Sequence, residues 1–462
     1  MLLSIPGMQA RRLRLRGFGA VSVLVIGGYV VELLVIADDL TGASDTGAQF
    51  AKHGISTLVT MEVDDAFDRP DDDYPVIVAS TESRHLSATE AAARVEMVVR
   101  RARAAGVKHF YKKTDSTLRG NIGAELQAML LASGNHVLAF APALPRLGRF
   151  TRRGYQYVGN RLLHETTFAG DPLDPVTDSY IPTIIRRQSD LPTRIIPRNT
   201  DEALMDRQPG EWIAIFDAES DDDLRQVGER LKRERWLGAL AGSAGFAACL
   251  PQLLELGTST LPCLDCPARM LAVNGSLNEI SLQQAARAEA CGFAVVRLPP
   301  ELLIAEDGAR SMAALQIIAA IADYDAQGKD VMLRTLTRRE DLSEYERCGD
   351  KMGYRGRQFH LRIAENMAKF INEVVAQTRF GLLTVFGGDT LAAIFHIRRW
   401  RGMLPRREIL PGVILSEAAG GGKKMWLITK AGGFGPDDVL RQIKEQLPLR
   451  ASDIGFHTKC EI

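Results

Sequence analysis

Leu33-Leu-Val-Ile-Ala-Asp-Asp-Leu-Thr-Gly-Ala-Ser-Asp-Thr-Gly47 is the stretch on which the reading of the chain turns. Five apolar residues stop at Asp38, Asp39 and a turn of small residues, the pattern of a strand buried on both faces and ending at Ala37. A helix is expected next, from Thr46 to His53, closed by Gly54. The unit then recurs. Strands are expected at Ser56–Met61, Pro75–Ser80, His109–Lys113 and His136–Ala141, with helices at Ala88–Ala105 and Ile122–Ala132. Such alternation builds an α/β fold, a mostly parallel sheet flanked by helices. Ligands of these sheets gather at the carboxyl ends of the strands. The loops after Ala37, Ser80, Lys113 and Ala141 are therefore the places where a ligand is expected.

Outward from this core the pattern weakens and then restarts. Residues 142–182 are rich in Gly, Pro, Arg and Thr with little periodicity, and a connection that long is more often functional than idle. A strand is expected at Trp212–Asp217, a helix at Asp221–Trp236, and a helical stretch at Phe246–Leu256 kinked by Pro251. The composition shifts at Gly257–Pro267. Beyond it, strands are expected at Met270–Val273, Ala294–Leu298, Asp330–Leu333, Gly381–Phe386 and Met425–Thr429, with helices at Glu279–Cys291 and Gln358–Gln377. Two domains follow, 32–262 and 268–447, each a mostly parallel sheet with helices and the active site in the cleft between them. Residues 1–31 read as a disordered extension in preference to a targeting peptide, because the apolar part of that stretch runs straight into the first strand. Residues 448–462 read as a tail.

The bulk properties exclude more than they assign. With 57 basic and 57 acidic residues the formal net charge is +0, which gives no footing for a nucleic-acid or membrane partner. No apolar run reaches the roughly 18 residues of a membrane span. Six scattered cysteines suit reduced thiols and a cytoplasmic location. Cys263 and Cys266 form a C-x-x-C with no second ligand pair, and read as part of a connector rather than a zinc site.

Two kinds of loop carry chemistry. In the second half, Gly387-Gly388-Asp389 and Gly432-Gly433-Phe434-Gly435 each follow a strand and open a helix, and Asn274-Gly275-Ser276 follows a third strand. Glycines let backbone N–H groups turn onto an anion, and the helix N-terminus adds a favourable dipole. Gly422-Lys423-Lys424 ends like a P-loop but lacks its leading Gly and its Ser/Thr, and no G-x-G-x-x-G follows the first strand. In the first half, Asp38-Asp39, Thr81-Glu82-Ser83-Arg84 and Lys112-Lys113-Thr114-Asp115-Ser116-Thr117-Leu118-Arg119 end three strands. Arg and Lys there would hold a carboxylate, and Asp and Ser its hydroxyl groups. A kinase of a small hydroxylated acid fits both halves. A nucleotide-dependent hydroxy-acid dehydrogenase and a non-catalytic sugar-acid-binding protein are the alternatives.

Val35 to Gly47, Lys112 to Asn121, Gly170-Asp171-Pro172 with Pro175-Val176, Gly387-Gly-Asp-Thr390 and Thr429-Lys-Ala-Gly-Gly-Phe-Gly435 together resemble the four-carbon acid sugar kinase family, from about Leu33 to Gln446. The resemblance implies a sugar-acid-binding domain followed by a nucleotide-binding domain, and ATP-dependent phosphorylation of threonate, erythronate or 3-oxo-tetronate at the terminal hydroxyl. By position, it makes Asp39, Arg84, Lys113, Asp115, Ser116 and Arg119 substrate contacts, and Ser276, Gly387, Gly388, Asp389, Gly432 and Gly433 nucleotide contacts. Mg²⁺ is expected on the ATP phosphates, with Asp39 as the group that orients or deprotonates the hydroxyl and Asp115 as the alternative. The chain departs from the family pattern before Leu33 and at Phe150-Thr151-Arg152-Arg153. The expected assembly is a homodimer, the commonest symmetric oligomer.

Overall fold

The computed structural model describes residues 31–62, 74–171, 174–198, 210–258, 269–336, 338–421, 424–430 and 435–447. The N-terminal extension, the C-terminal tail, the Cys263/Cys266 connector, Gly422-Lys423 and the glycines at 432 and 433 lie outside them.

Leu33–Ala37 forms β1, buried along its whole length. Its neighbours are β3 (Val76–Ser80) and β4 (His109–Lys113), both parallel to it, with Ala37 level with Ser80 on one side and Lys113 on the other. The apolar runs need covers on both faces, and helices Leu40–Ala51, Ala88–Ala104, Ile122–Ser133 and Asp221–Glu234 supply them. Five more parallel strands complete the main sheet of this half, the first two being β2 (Thr57–Thr60) at one edge and β5 (Val137–Ala141); after these in the chain come three short strands of a separate, antiparallel sheet. Those are β6 (Arg149–Arg152), β7 (Tyr155–Val158) and β8 (Arg161–Leu162). The main sheet continues through β9 (Thr193–Ile196), β10 (Trp212–Phe216) and β11 (Ala239–Gly242), in the order β2-β3-β1-β4-β11-β5-β10-β9.

The second half is built in the same way. Strands β12 (Met270–Asn274), β13 (Phe293–Arg297), β14 (Asp330–Arg334), β15 (Leu382–Phe386) and β18 (Trp426–Lys430) run parallel, in the order β13-β14-β12-β15-β18. Helices Met312–Ala326, Gly356–Gln377 and Gly388–Arg398 are among their covers. Between β15 and β18 in the chain lies an antiparallel hairpin, β16 (Trp400–Leu410) and β17 (Val413–Gly420).

That hairpin is the principal departure from the sequence reading, which leaves 400–420 without strands. It joins the two halves. β17 pairs with β18, and β16 pairs with β2 through Gly402 opposite Thr60 and Met403 opposite Val59, giving one 15-stranded sheet. The Thr60 hydroxyl donates to the Arg401 carbonyl at 2.6 Å across the seam. Gly402 fits because a Cβ there would lie 2.4 Å from the Val59 carbonyl oxygen. One apolar core runs beneath, from Phe50 and Val59 to Met403, Trp400 and Leu427. The strands of the two halves run in opposite senses along the ladder. Sheet twist of about 20–25° per strand, accumulated over the six steps from β15 to β1, turns them roughly 120–150°, and this swings the carboxyl ends of both sets toward one cleft.

Three smaller differences have local causes. The first helix begins at Leu40, not Thr46, because Asp39 caps it by accepting from Gly42 N–H at 2.8 Å. The aperiodic 142–182 segment holds β6–β8, strands too short to show a period. The helix from Glu279 stops at Ala286, and Ala288 N–H and Cys291 N–H bond back to carbonyls in a looser turn. Among the described residues no helix is long and apolar enough to cross a membrane, and Cys249, Cys291 and Cys348 are free thiols.

Candidate functional site

The end of β1 delivers two carboxylates side by side, and the end of β3 delivers the arginine that holds both. Arg84 donates from Nε to Asp38 Oδ2 at 2.6 Å, from Nη2 to Asp38 Oδ1 at 3.0 Å, and from Nη1 to Asp39 Oδ2 at 2.8 Å. Ser83 and Arg84 N–H also bond the Asp38 carbonyl, which fixes the turn. Burial alone would raise the Asp38 pKa, but the charges of Arg84, Lys112 and Lys113 outweigh it and hold the carboxyl below its ordinary value. Asp38 is buried and two-fold bonded, so it anchors Arg84. Asp39 is partly exposed at the head of helix Leu40–Ala51.

The end of β4 brings the basic cluster to the same place. Lys112 is fully buried and pairs with Glu125 at 3.2 Å. Lys113 donates to the Thr114 carbonyl at 3.0 Å, and its ammonium lies against the first turn of the helix that Asp39 caps, 2.9 Å from where a Cβ on Gly42 would be. Asp115 accepts from Thr117 at 2.5 Å and from Arg119 Nε at 2.6 Å. Burial opposes its charge, yet Arg119 and Arg84 prevail and hold its pKa far below the usual carboxylate range. A carboxylate so stabilised is a poor proton acceptor. Arg119 reaches on to Asp171 at 3.0 Å.

The loop after Ala141 leads into the small sheet, and this sheet adds a residue that the sequence reading did not nominate. Arg149, on β6, donates from Nη1 to Ser116 Oγ at 2.5 Å. Its guanidinium and that of Arg119 both lie over the Phe168 ring, 5.5 and 5.6 Å from the centroid. The sheet is held in place by Gln156, which donates to the Ser116 carbonyl at 2.8 Å, and by the Thr151–Ala218 bridge.

Opposite this cluster stand the loops of the second half. Asn274 and Phe386 end neighbouring parallel strands, and Gly275 N–H bonds the Phe386 carbonyl at 2.9 Å. Gly275 has to be glycine: a Cβ would fall 1.9 Å from Thr390 Oγ1. Gly387, at φ 115°, lies against the Ser276 backbone, and a non-glycine residue there would be strained. Ser276 N–H is held by Asn274 Oδ1 at 3.0 Å, and its hydroxyl accepts from Asn278 N–H at 3.2 Å. Gly388 opens helix Gly388–Arg398 so close to the first half that a Cβ would lie 3.0 Å from Thr41 Oγ1. Two helix N-termini of 11 and 12 residues thus face one another, with Lys113 beside them: a concentration of positive potential suited to phosphate. Asp389 is exposed in the first turn.

Two further residues emerge only from the folded arrangement. Glu82, at φ 46° just past β3, accepts from Ser80 at 2.5 Å. Burial, with the charges of Asp39 and Asp389 adding to it against the Ser80 bond, pushes its carboxyl up to about 7. Lys430 ends β18 level with Phe386, packs over that ring at 4.8 Å and donates to Ser281 at 3.2 Å. Burial pushes its ammonium down to about 7. Both lie in quoted motifs, but their roles depend on Asp389 and Phe386, which are distant in sequence.

A cluster of arginine, lysine and aspartate side chains facing glycine-bordered turns at a helix N-terminus, in a two-half α/β fold, is the arrangement of a small-molecule kinase. Residues 33–250 match the model of a sugar-binding N-terminal domain and residues 271–440 that of a nucleotide-binding C-terminal domain. The chain belongs to the four-carbon acid sugar kinase family and is a phosphotransferase that uses a nucleotide. It is 31% identical to the D-threonate kinase of Salmonella typhimurium over 89% of this chain and 97% of that one. Against the 3-oxo-tetronate kinase of Cupriavidus necator the identity is 28% (89% and 96% covered), and against the D-erythronate kinase of Heliobacterium modesticaldum 27% (88% and 95%). A crystal structure of a Haemophilus influenzae protein superposes with a TM-score of 0.67 at 21% identity, covering 90% of this chain and 100% of that one. One from Salmonella typhimurium LT2 reaches 0.76 at 22%, covering 91% and 100%. At these identities the structures speak for the fold alone. The kinase reading therefore replaces the dehydrogenase and binding-protein alternatives.

Proposed function

We propose that the protein transfers the γ-phosphoryl group of ATP to the terminal hydroxyl of a four-carbon acid sugar (threonate, erythronate or 3-oxo-tetronate), giving the 4-phosphate. The observation that carries this reading is the close approach of Gly388 to Thr41. It brings the glycine cradle of one half within reach of the Asp39/Arg84/Lys113 end of the other. Phosphoryl transfer asks a protein chiefly for positioning and charge neutralisation. Backbone N–H groups around Gly387 and Gly388, with Ser276 and Lys430, hold the phosphates; Gly432 and Gly433, expected from the sequence as further nucleotide contacts, lie outside the described residues. Lys113 and the two helix N-termini take up charge on the transferred group. The substrate hydroxyl oxygen bonds to the γ-phosphorus as the bond to the ADP oxygen breaks, and Asp39 receives the hydroxyl proton. Arg84 holds Asp39 in position for that step.

The donor set fits a nucleotide-borne Mg²⁺. Such an ion needs only one or two carboxylates besides phosphates and water. Asp389, exposed in the first turn of its helix, would hold it, and it would neutralise phosphate charge there. Asp115, Ser116 and Arg119 line the far wall and set which acid is accepted.

The test is ADP release with ATP and Mg²⁺ across D- and L-threonate, D- and L-erythronate and the 3-oxo-tetronates. Turnover with one member names the substrate. A folded, ATP-stabilised protein that turns over none of them would refute this substrate class. The proposed assembly, a homodimer, is read by light scattering of the same sample.

A further inference from the structure

The cations around the first-half pocket divide into two groups. Arg84 is neutralised by Asp38 and Asp39, Lys112 by Glu125, and Arg119 by Asp115 and Asp171. Lys113 and Arg149 have no such partner: Lys113 bonds a carbonyl and Arg149 a hydroxyl. Among the described residues no carboxylate lies within ion-pair distance of either.

The two stand on different elements, β4 and β6. Lys113 is at the first turn of the helix capped by Asp39, where the nucleotide half approaches. Arg149 is on the small sheet, bonded to Ser116 and stacked on Phe168. Its Nη1 is engaged by Ser116, Nη2 has no hydrogen-bond partner among the described residues, and Nε is buried without one. A buried donor left unbonded costs free energy, and a cation more than a neutral group. A planar carboxylate is the ligand that a guanidinium edge of this kind fits, by two parallel hydrogen bonds.

We propose, on the footing of the kinase reading above, that Arg149 receives the carboxylate of the sugar acid, with Ser116 fixing the guanidinium. The acid then lies with its carboxylate at the small sheet and its terminal hydroxyl at Asp39 and Lys113. Arg149 is the residue that selects an acid over a neutral polyol. Side-chain adjustment of the size needed to open the Nε edge is common on binding. Burial lowers the Arg149 pKa, against the charge of Asp115, and a bound carboxylate would offset that penalty.

The experiment compares Arg149→Gln and Arg149→Lys with the unaltered protein by calorimetric titration. The ligands are the tetronates and the amide of whichever acid binds best. Retention of the thermal stabilisation by ATP, which reports on the other half, shows that each variant is folded. Arg149→Gln should weaken acid binding by about 100-fold and leave the amide almost unaffected. Arg149→Lys, a point charge without a fork, should fall between. Unchanged acid affinity in folded Arg149→Gln, or an equal loss for acid and amide, overturns the proposal. If Arg149→Gln does not fold, Arg149→Lys decides by the same acid-to-amide ratio. Should the unaltered protein bind an acid but release no ADP, the kinase reading fails while the titration still decides the clamp. Binding of no tetronate at all would overturn both.

Discussion

The hydroxyls of Ser44 and Thr429 lie 2.7 Å apart, both buried, and tie the first helix of the sugar-acid half to the last strand of the nucleotide half. Each is the other's partner, so removing one strands the other. Ser44→Ala or Thr429→Val should each destabilise the protein by about 1–3 kcal/mol. The double variant should lose clearly less than the sum, because no unpaired hydroxyl remains. Urea denaturation of the four proteins measures this; strict additivity would show that the bond does not couple the halves.

Asp39→Asn keeps an oxygen for the Gly42 cap but removes the proton acceptor. Turnover should fall about 100- to 10,000-fold, with the KM for the acid changed only a few-fold. Steady-state kinetics decide it, and turnover near that of the unaltered enzyme would remove Asp39 from the chemistry.

Glu82 makes stability depend on pH in a known direction. Its folded pKa of about 7 lies above the ordinary 4.5, so the folded state holds the proton more tightly. Below pH 4.5 both states carry it and its contribution is complete. Between pH 4.5 and 7 only the unfolded state loses it, and stability declines, by at most about 3 kcal/mol for a shift of this size and less at a partly exposed site. Glu82→Gln lacks that slope. The melting temperature of the variant should therefore gain on that of the unaltered protein from pH 4.5 to 7.5, in the absence of nucleotide. Parallel curves would contradict the assignment.

Gly275→Ala forces a methyl group to within 1.9 Å of Thr390 Oγ1, and the head of helix Gly388–Arg398 has to move. The KM for ATP should rise by about 10-fold or more, taking 1.4 kcal/mol of lost phosphate contact as the minimum, while the KM for the acid changes little. Adding Thr390→Ala makes room and should restore most of the loss. A Gly275→Ala enzyme with normal ATP kinetics would argue that this turn does not touch the nucleotide.

Much of the architecture was legible because it is written in local patterns. The run Leu33 to Ala37 and the strand His109–Lys113 were placed residue for residue. The parallel register that sets Ala37 beside Ser80 and Lys113 then gathers loops that the alternation had already marked. The hairpin Trp400–Gly420 was not legible. Arg401, Pro405, Arg406, Arg407 and Glu408 interrupt its alternation, and a proline inside a strand reads as a break. Arg149 escaped for a different reason. Its partners Ser116 and Phe168 come from two other segments, and no local spacing reports that meeting. Glu82 is, in the sequence, one of many polar loop residues; only the fold brings the charges of Asp39 and Asp389 to it.

The seam between β2 and β16 has a consequence for the unity of the molecule. Among the described residues two opposed pairs, Gly402 with Thr60 and Met403 with Val59, carry the ladder across it. A break in the chain between the halves would leave each with a raw strand border whose best complement is the other. Two separately made fragments should thus find one another and restore a working cleft. Nothing in those pairs of backbone bonds requires that both borders come from the same polypeptide.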